Sequence, residues 1–164
     1  MCYHTYYPGM GRGLRDEIKQ GKPFESLEQE ALLSIERTAA VLMHGFADSL
    51  KEYGITPTQY NVLRILRGAG RAGLCRNEIR DRLVAQVPDV TRLLDRMEES
   101  GLVERERAEQ DRRLVTTRIT KTGLTLLGRL DGPVAQSHRE RLGHLSAAQL
   151  RSLIGLLAQV REAS

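Results

Sequence analysis

The sequence predicts a mainly α-helical protein with one small β hairpin. Three observations carry that expectation. Aromatic residues make up only 4% of the chain and Trp is absent, so the core must be aliphatic, which favours helices over a β-sandwich. Apolar residues step by three and four along most of the chain, the spacing of a helix face. A single stretch, residues 102–119, changes to alternation, the period of a strand.

Composition sets the outer limits. The 164 residues suit one domain or two small lobes sharing a core, and 40% hydrophobic content is enough to build it. The net charge of +4 permits a nucleic-acid partner without requiring one, because acidic residues are interspersed throughout. No apolar run approaches the roughly 20 residues of a membrane span, and "MCYHTYYPGMGRG" lacks the apolar core of a secretory leader. Two cysteines, Cys2 and Cys75, give no disulfide framework, so a reducing cytoplasm is the expected home.

The elements follow in order. Residues 1–25 read as an N-terminal arm, because Pro8, Gly9, Gly11, Gly13, Gly21 and Pro23 break any long helix. A short helix over "LRDEIKQ" fits inside it. Tyr3, Tyr6 and Tyr7 either pack on a partner subunit or belong to a loose tail. Ser26 then caps a long helix, with Gln29 placed to complete a capping box. Leu32, Ile35, Ala39, Leu42, Phe46 and Leu50 form its stripe, and Gly54 ends it. Thr56, Pro57 and Gln59 mark the next start, with Tyr60, Leu63 and Leu66 facing inward. Gly68 and Gly70 stop that helix.

Two short helices come next. "CRNEIRDRLV" carries Ile79 and Leu83. "VPDVTRLLDRMEESG" carries Val90, Leu93, Leu94 and Met97, with Pro88 suited to the helix start and Asp89 to its first turn. A two-stranded hairpin follows, its tip near Glu109 to Arg112. Thr120 caps a helix whose stripe is Leu124, Leu127 and Leu130. Gly132-Pro133 should kink or interrupt it. Ser146 caps the last helix, with Leu150, Leu153, Ile154 and Leu157 inside.

Two short helices followed by a charged hairpin are the sequence form of a winged helix-turn-helix, in which the second helix enters the major groove of DNA and the hairpin lies beside it. The side chains agree. Asp89, Thr91, Arg92 and Arg96 stand off the apolar face of the second short helix, where Thr and Arg can meet bases or phosphates. Arg76, Arg80 and Arg82 can reach the phosphate backbone. The bland alternative is a solvated face with ion pairs within the helices, such as Asp81 or Asp95 with neighbouring arginines. The wing tip weighs against it. Asp111 can hold one guanidinium of Arg112 and Arg113 in place, and arginine is drawn to the negative potential of a narrow minor groove.

"VTRLLDRMEESGLVERE", then "DRR", then a strand ending in "ITKTG" resemble the recognition helix and wing of the MarR family of transcription regulators. "SLEQEALLSIERTAAVL", "TPTQYNVLRIL" and the C-terminal helices are similar to the rest of that family's layout, so the resemblance covers roughly residues 26–160. It implies an obligate homodimer, with a helical dimerisation lobe (residues 26–54 and 121–164) and a winged helix-turn-helix DNA-binding lobe (residues 55–120). It implies a ligand-responsive repressor or activator on a near-palindromic operator, with Asp111 positioning a wing arginine and Thr91 and Arg92 reading the major groove. The chain departs from the family at "VPDVTRL", where many members carry small hydroxyl residues, so Asp89 either accepts from a cytosine amino group or repels phosphate.

Other chemistry finds no support. His4, His44, His138, His144 and the cysteines lack metal-ligand spacing, so no metal is expected. Cys75, at a helix start, reads as a small capping residue or as a thiol of lowered pKa. No glycine-rich phosphate loop or catalytic triad order is present, so neither an enzyme nor a cofactor is expected. The rival reading is a winged-helix module that binds protein. A cleft for a small aromatic or phenolic effector is expected from Met43, His44, Phe46 and Tyr60, an aromatic and thioether wall with a polar group. The alternative is that these four are ordinary core residues.

Overall fold

The computed structural model describes residues 13–107 and 115–163. The chain divides into two compact units, Met1–His44 and Gly45–Ser164.

In the first unit, α1 (Leu14–Glu17) is a single turn and α2 (Leu27–Leu50) begins; its last residues belong to the second unit. Ser26 Oγ accepts the Gln29 N–H at 3.2 Å, as the capping pattern requires, but the Gln29 amide oxygen takes the Glu25 N–H at 2.7 Å rather than that of Ser26. The cap therefore wraps one residue further back than expected. Arg37 pairs with Glu17 at 3.6 Å. Leu27, Leu32, Val41 and Met43 on α2 are exposed.

The second unit holds the aliphatic core. A 3-10 turn, Lys51–Tyr53, closes α2, and Gly54 takes a left-handed conformation at φ 69° that glycine adopts without penalty. In α3 (Pro57–Ala69), Thr56 and Gln59 complete the capping box, with bonds of 3.2 and 2.9 Å. Tyr60, Val62, Leu63 and Leu66 are buried. They share the core with Leu50, Ile79, Leu94, Met97, Leu127 and Leu130.

The sheet is larger than the hairpin read from the sequence. A two-residue strand β1 (Leu74–Cys75) precedes α4 (Arg76–Arg82), and α5 (Val90–Glu99) is followed by β2 (Val103–Arg107) and β3 (Val115–Ile119). β3 is central and antiparallel to both neighbours, with Leu74 opposite Thr117 and Val103 opposite Ile119. Gly73 admits the third strand: a Cβ there would lie 2.6 Å from the Thr117 carbonyl oxygen. The hairpin tip falls in residues 108–114, outside the described residues.

Of the kink or interruption expected at Gly132-Pro133, the interruption does not occur. Helix α6 (Lys121–Leu142) runs through Pro133. Proline removes one helical N–H, but Leu127, Leu130 and Val134 on either side are buried, and their packing holds the helix together. Thr120 caps α6 by accepting the Gly123 N–H at 3.1 Å. Arg67 on α3 and Asp131 on α6 make two parallel bonds of 2.8 and 3.0 Å. Ser146 and Gln149 form a capping box on α7 (Ala147–Glu162), which has no buried residue. Leu153 and Ile154, expected inside, are exposed in the single chain, as are Leu156 and Val160.

Candidate nucleic-acid interface

The residues that could meet DNA are displayed by α4, α5 and the base of the wing. Helix α5 is strongly two-sided. Val90, Leu94 and Met97 are buried against the core, whereas Thr91, Arg92 and Arg96 are exposed. The periodicity that buries one face necessarily presents the other.

Asp89 has a structural role beside the DNA contact expected of it. It lies outside the helix as the N-cap, and its carboxylate accepts the Arg92 N–H at 2.9 Å. The helix consequently starts at Val90, two residues beyond Pro88. The turn leading to it is pinned from α3, where the Asn61 side-chain oxygen accepts the Val84 N–H at 2.9 Å. Asn61 drew no attention in the sequence, because its partner lies 23 positions away.

Arg76, the first residue of α4, reaches Thr91 Oγ1 at 3.4 Å and the Asn77 side-chain oxygen at 3.1 Å. Arg76, Thr91 and the α5 arginines therefore share one region of surface. Cys75, the cap of α4, has its N–H bonded by the Glu78 carboxylate at 2.8 Å, and that backbone bond holds Glu78 below the usual carboxylate range. Arg80 pairs with its neighbour Asp81. A cleft of about 440 Å³ opens between α4, α5 and the sheet, lined by Arg76, Asn77, Thr91, Leu94 and Arg105 among others.

Two carboxylates of α5, Asp95 and Glu98, pair across to the sheet. Arg105 on β2 takes both: its guanidinium reaches Asp95 at 2.7 Å and Glu98 at 2.8 Å, and its backbone N–H donates to Glu98 at 3.0 Å. The side-chain bond from Arg105 holds Glu98 below the usual carboxylate range, and the same bond raises Arg105. On the neighbouring strand, Arg118 bonds the Arg71 carbonyl at 2.8 Å and pairs with Glu106. Asp111, Arg112 and Arg113 lie outside the described residues.

Of the four cleft candidates, the structure brings Phe46 and Tyr60 together, edge to face at 5.6 Å. His138 on α6 joins Phe46 at 6.1 Å, and the Arg64 guanidinium stands 6.0 Å over the Tyr60 ring. Met43 and His44 belong to the first unit, both exposed. His138 lies far beyond Phe46 in the chain, and no local pattern could have linked them. Among the described residues no helix is long and apolar enough to cross a membrane, and no three metal-ligating side chains cluster.

Two helices meeting at a pinned turn, the second exposing Thr and Arg beside a three-stranded sheet, define a winged helix-turn-helix. The chain belongs to the MarR family, a family of transcription regulators: that family's model matches residues 53–114. A MarR transcription factor of Planctomyces limnophilus is 40% identical, with 84% of this chain and 99% of that one covered and a TM-score of 0.65. A mutant of Escherichia coli MarR, solved in complex with operator DNA, is 27% identical, with coverage of 90% and 97% and a TM-score of 0.71. A Thauera aromatica protein, assigned as a transcriptional regulatory protein for the hcr operon, is 27% identical over 107 residues. That match spans 65% of this chain and 63% of the relative, less than two thirds of its length.

Proposed function

We propose that this chain acts in the cytoplasm as a sequence-specific DNA-binding regulator, a homodimer that represses from a near-palindromic operator and responds to a ligand. The observation that carries the reading is the outer face of α5. Thr91, Arg92 and Arg96 are exposed there, while Asp95 and Glu98, two of the helix's three carboxylates, are held by Arg105. A helix so arranged offers donors and cations to a groove and ties back two of its three carboxylates, leaving only Glu99, at its last residue, exposed. Arg76 adds a phosphate contact beside Thr91. At the wing tip, Asp111 would hold one guanidinium of Arg112 and Arg113 in place, and the remaining arginine would reach phosphate.

The dimer follows from apolar surface that one chain leaves uncovered. Helix α7 has no fully buried residue in the single chain and exposes Leu153, Ile154 and Leu156, and exposed apolar patches of that kind mark association surfaces. The dimerisation lobe is then formed from residues 26–54 and 121–164, and the DNA-binding lobe from 55–120. An aromatic or phenolic effector is placed at Phe46 and Tyr60, with Met43 and His44 as further candidates. It would act by favouring dimers whose recognition helices are misspaced for DNA.

Selection of duplexes from a random library, repeated over a salt series, tests the reading. A recovered inverted repeat whose affinity falls steeply with salt supports it. Recovery of no preferred sequence, with salt-insensitive capture of a protein instead, would favour a protein-binding winged helix. Candidate effectors are then titrated against free protein and the operator complex. The coupling must be reciprocal, so equal ligand affinity in both titrations rejects the switch.

A further inference from the structure

We infer that Arg105 is the positioning residue of the recognition surface: by seizing Asp95 and Glu98 it keeps Arg92 available to DNA and fixes α5 against the wing. The inference rests on the DNA-binding reading above and deepens it.

Alternation along β2 puts Arg105 on the same side as buried Val103, while Glu104 and Glu106 are exposed. The Arg105 side chain is only 24% exposed. All three guanidinium nitrogens are engaged, one with Asp95 and two with Glu98. The Arg105 backbone N–H adds a fourth bond, to the other Glu98 oxygen. The planar fork places separate nitrogens on the two carboxylates, whereas a lysine ammonium offers a single nitrogen and no fixed fork.

The consequence concerns what those carboxylates would otherwise bind. Asp95 is three residues from Arg92 on the same helix, a spacing at which opposite charges meet. Without Arg105, Asp95 is free to draw Arg92 down onto the helix and quench it. Glu98 would also be left as an uncompensated negative charge beside the DNA path. Arg105 therefore need not touch DNA to govern specificity.

The test uses the full chain and a duplex selected by it. Arg105→Gln, Arg105→Lys, Asp95→Asn and the Arg105→Gln/Asp95→Asn double variant are compared with the parent. Thermal unfolding, operator affinity, affinity for a random duplex and the salt slope are measured. Arg105→Gln is expected to lower the ratio of operator to random-duplex affinity about tenfold, the size of one lost base discrimination. Its salt slope should shrink by about one, as Arg92 withdraws. The double variant should regain the slope, and Arg105→Lys should not. Arg105→Gln that loses thermal stability yet keeps the parent's ratio and slope would overturn the inference, since the residue would then only hold the fold together. If Arg105→Gln does not fold, Arg105→Lys decides by the same two readouts. A parent chain that prefers no duplex would fail the DNA-binding reading itself, an outcome distinct from both.

Discussion

Thr120 and Gly101 are joined by a 2.7 Å hydrogen bond, the threonine hydroxyl donating to the glycine carbonyl. The same hydroxyl accepts the Gly123 N–H, so one oxygen ties the turn after α5 to the start of α6. Thr120→Val keeps the shape and removes both roles. It should cost about 1–2 kcal/mol, whereas Thr120→Ser should stay close to the parent. Thermal unfolding of the two variants checks this, and equal losses would show that the methyl group matters rather than the hydroxyl.

Gly123 is a second fastening at that junction. A Cβ there would lie 2.3 Å from the Leu102 carbonyl oxygen and 2.8 Å from Ile119 Cγ1. Backbone cannot step aside as a flexible side chain can. Gly123→Ala should therefore destabilise by about 1–3 kcal/mol, despite alanine's better helix propensity. Denaturant unfolding would show it; a variant as stable as the parent would contradict the close approach.

Asp89 separates capping from recognition. Asp89→Ala removes the cap on α5 and should cost about 1 kcal/mol, while Asp89→Asn and Asp89→Ser preserve it. Asp89→Asn also removes a negative charge at the DNA face, so it should bind operator at least as tightly as the parent. If Asp89→Asn instead loses operator preference at one base pair, the carboxylate reads a base.

Acid should dissolve the link between α3 and α6. The bonds from Arg67 hold Asp131 below the usual carboxylate range. Because the folded value lies below the unfolded one, this stabilisation is complete above the ordinary range and drains away as pH falls through the lowered value. The melting temperature of Asp131→Asn should thus lie below the parent's at neutral pH and converge with it in acid. A gap that stays constant down to acid pH would mean that the charge is irrelevant.

The dimer prediction rests on α7. Ile154 and Leu156 are 65% and 61% exposed in the single chain. Ile154→Lys with Leu156→Lys should leave the monomer fold intact and break association. Sedimentation should then show an 18.4 kDa species, and operator affinity should drop. Sedimentation unchanged from a dimeric parent would place the interface elsewhere.

What could be read from the sequence was local. The capping signals at Thr56, Thr120 and Ser146 act within three residues, and each forms its bond in the structure. The stripe on α5 was equally legible, because a helix's period alone decides which side chains face inward. Non-local pairings were not legible. β1 is two residues long and gains its identity from Thr116 and Thr117, far along the chain. In "ERER" nothing distinguishes Arg105 from Arg107 until strand alternation and the lie of α5 are known. Pro133 does not interrupt α6, because the propensity penalty is local, while the burial of Leu130 and Val134 that outweighs it is not.

The sheet order β1-β3-β2 leaves β2 as a border strand. A border strand offers unpaired backbone groups to any other extended chain, the route by which proteins stitch together into aggregates. Here Glu104, Glu106 and Arg107 are exposed along it, and such charges are a poor template for a neighbour's strand. The alternation that hands Arg105 to the recognition helix thus also guards the rim of the sheet. A wing with valine or threonine at positions 104 and 106 would retain its fold and its helix contact, yet expose an adhesive seam to every other copy in the cell.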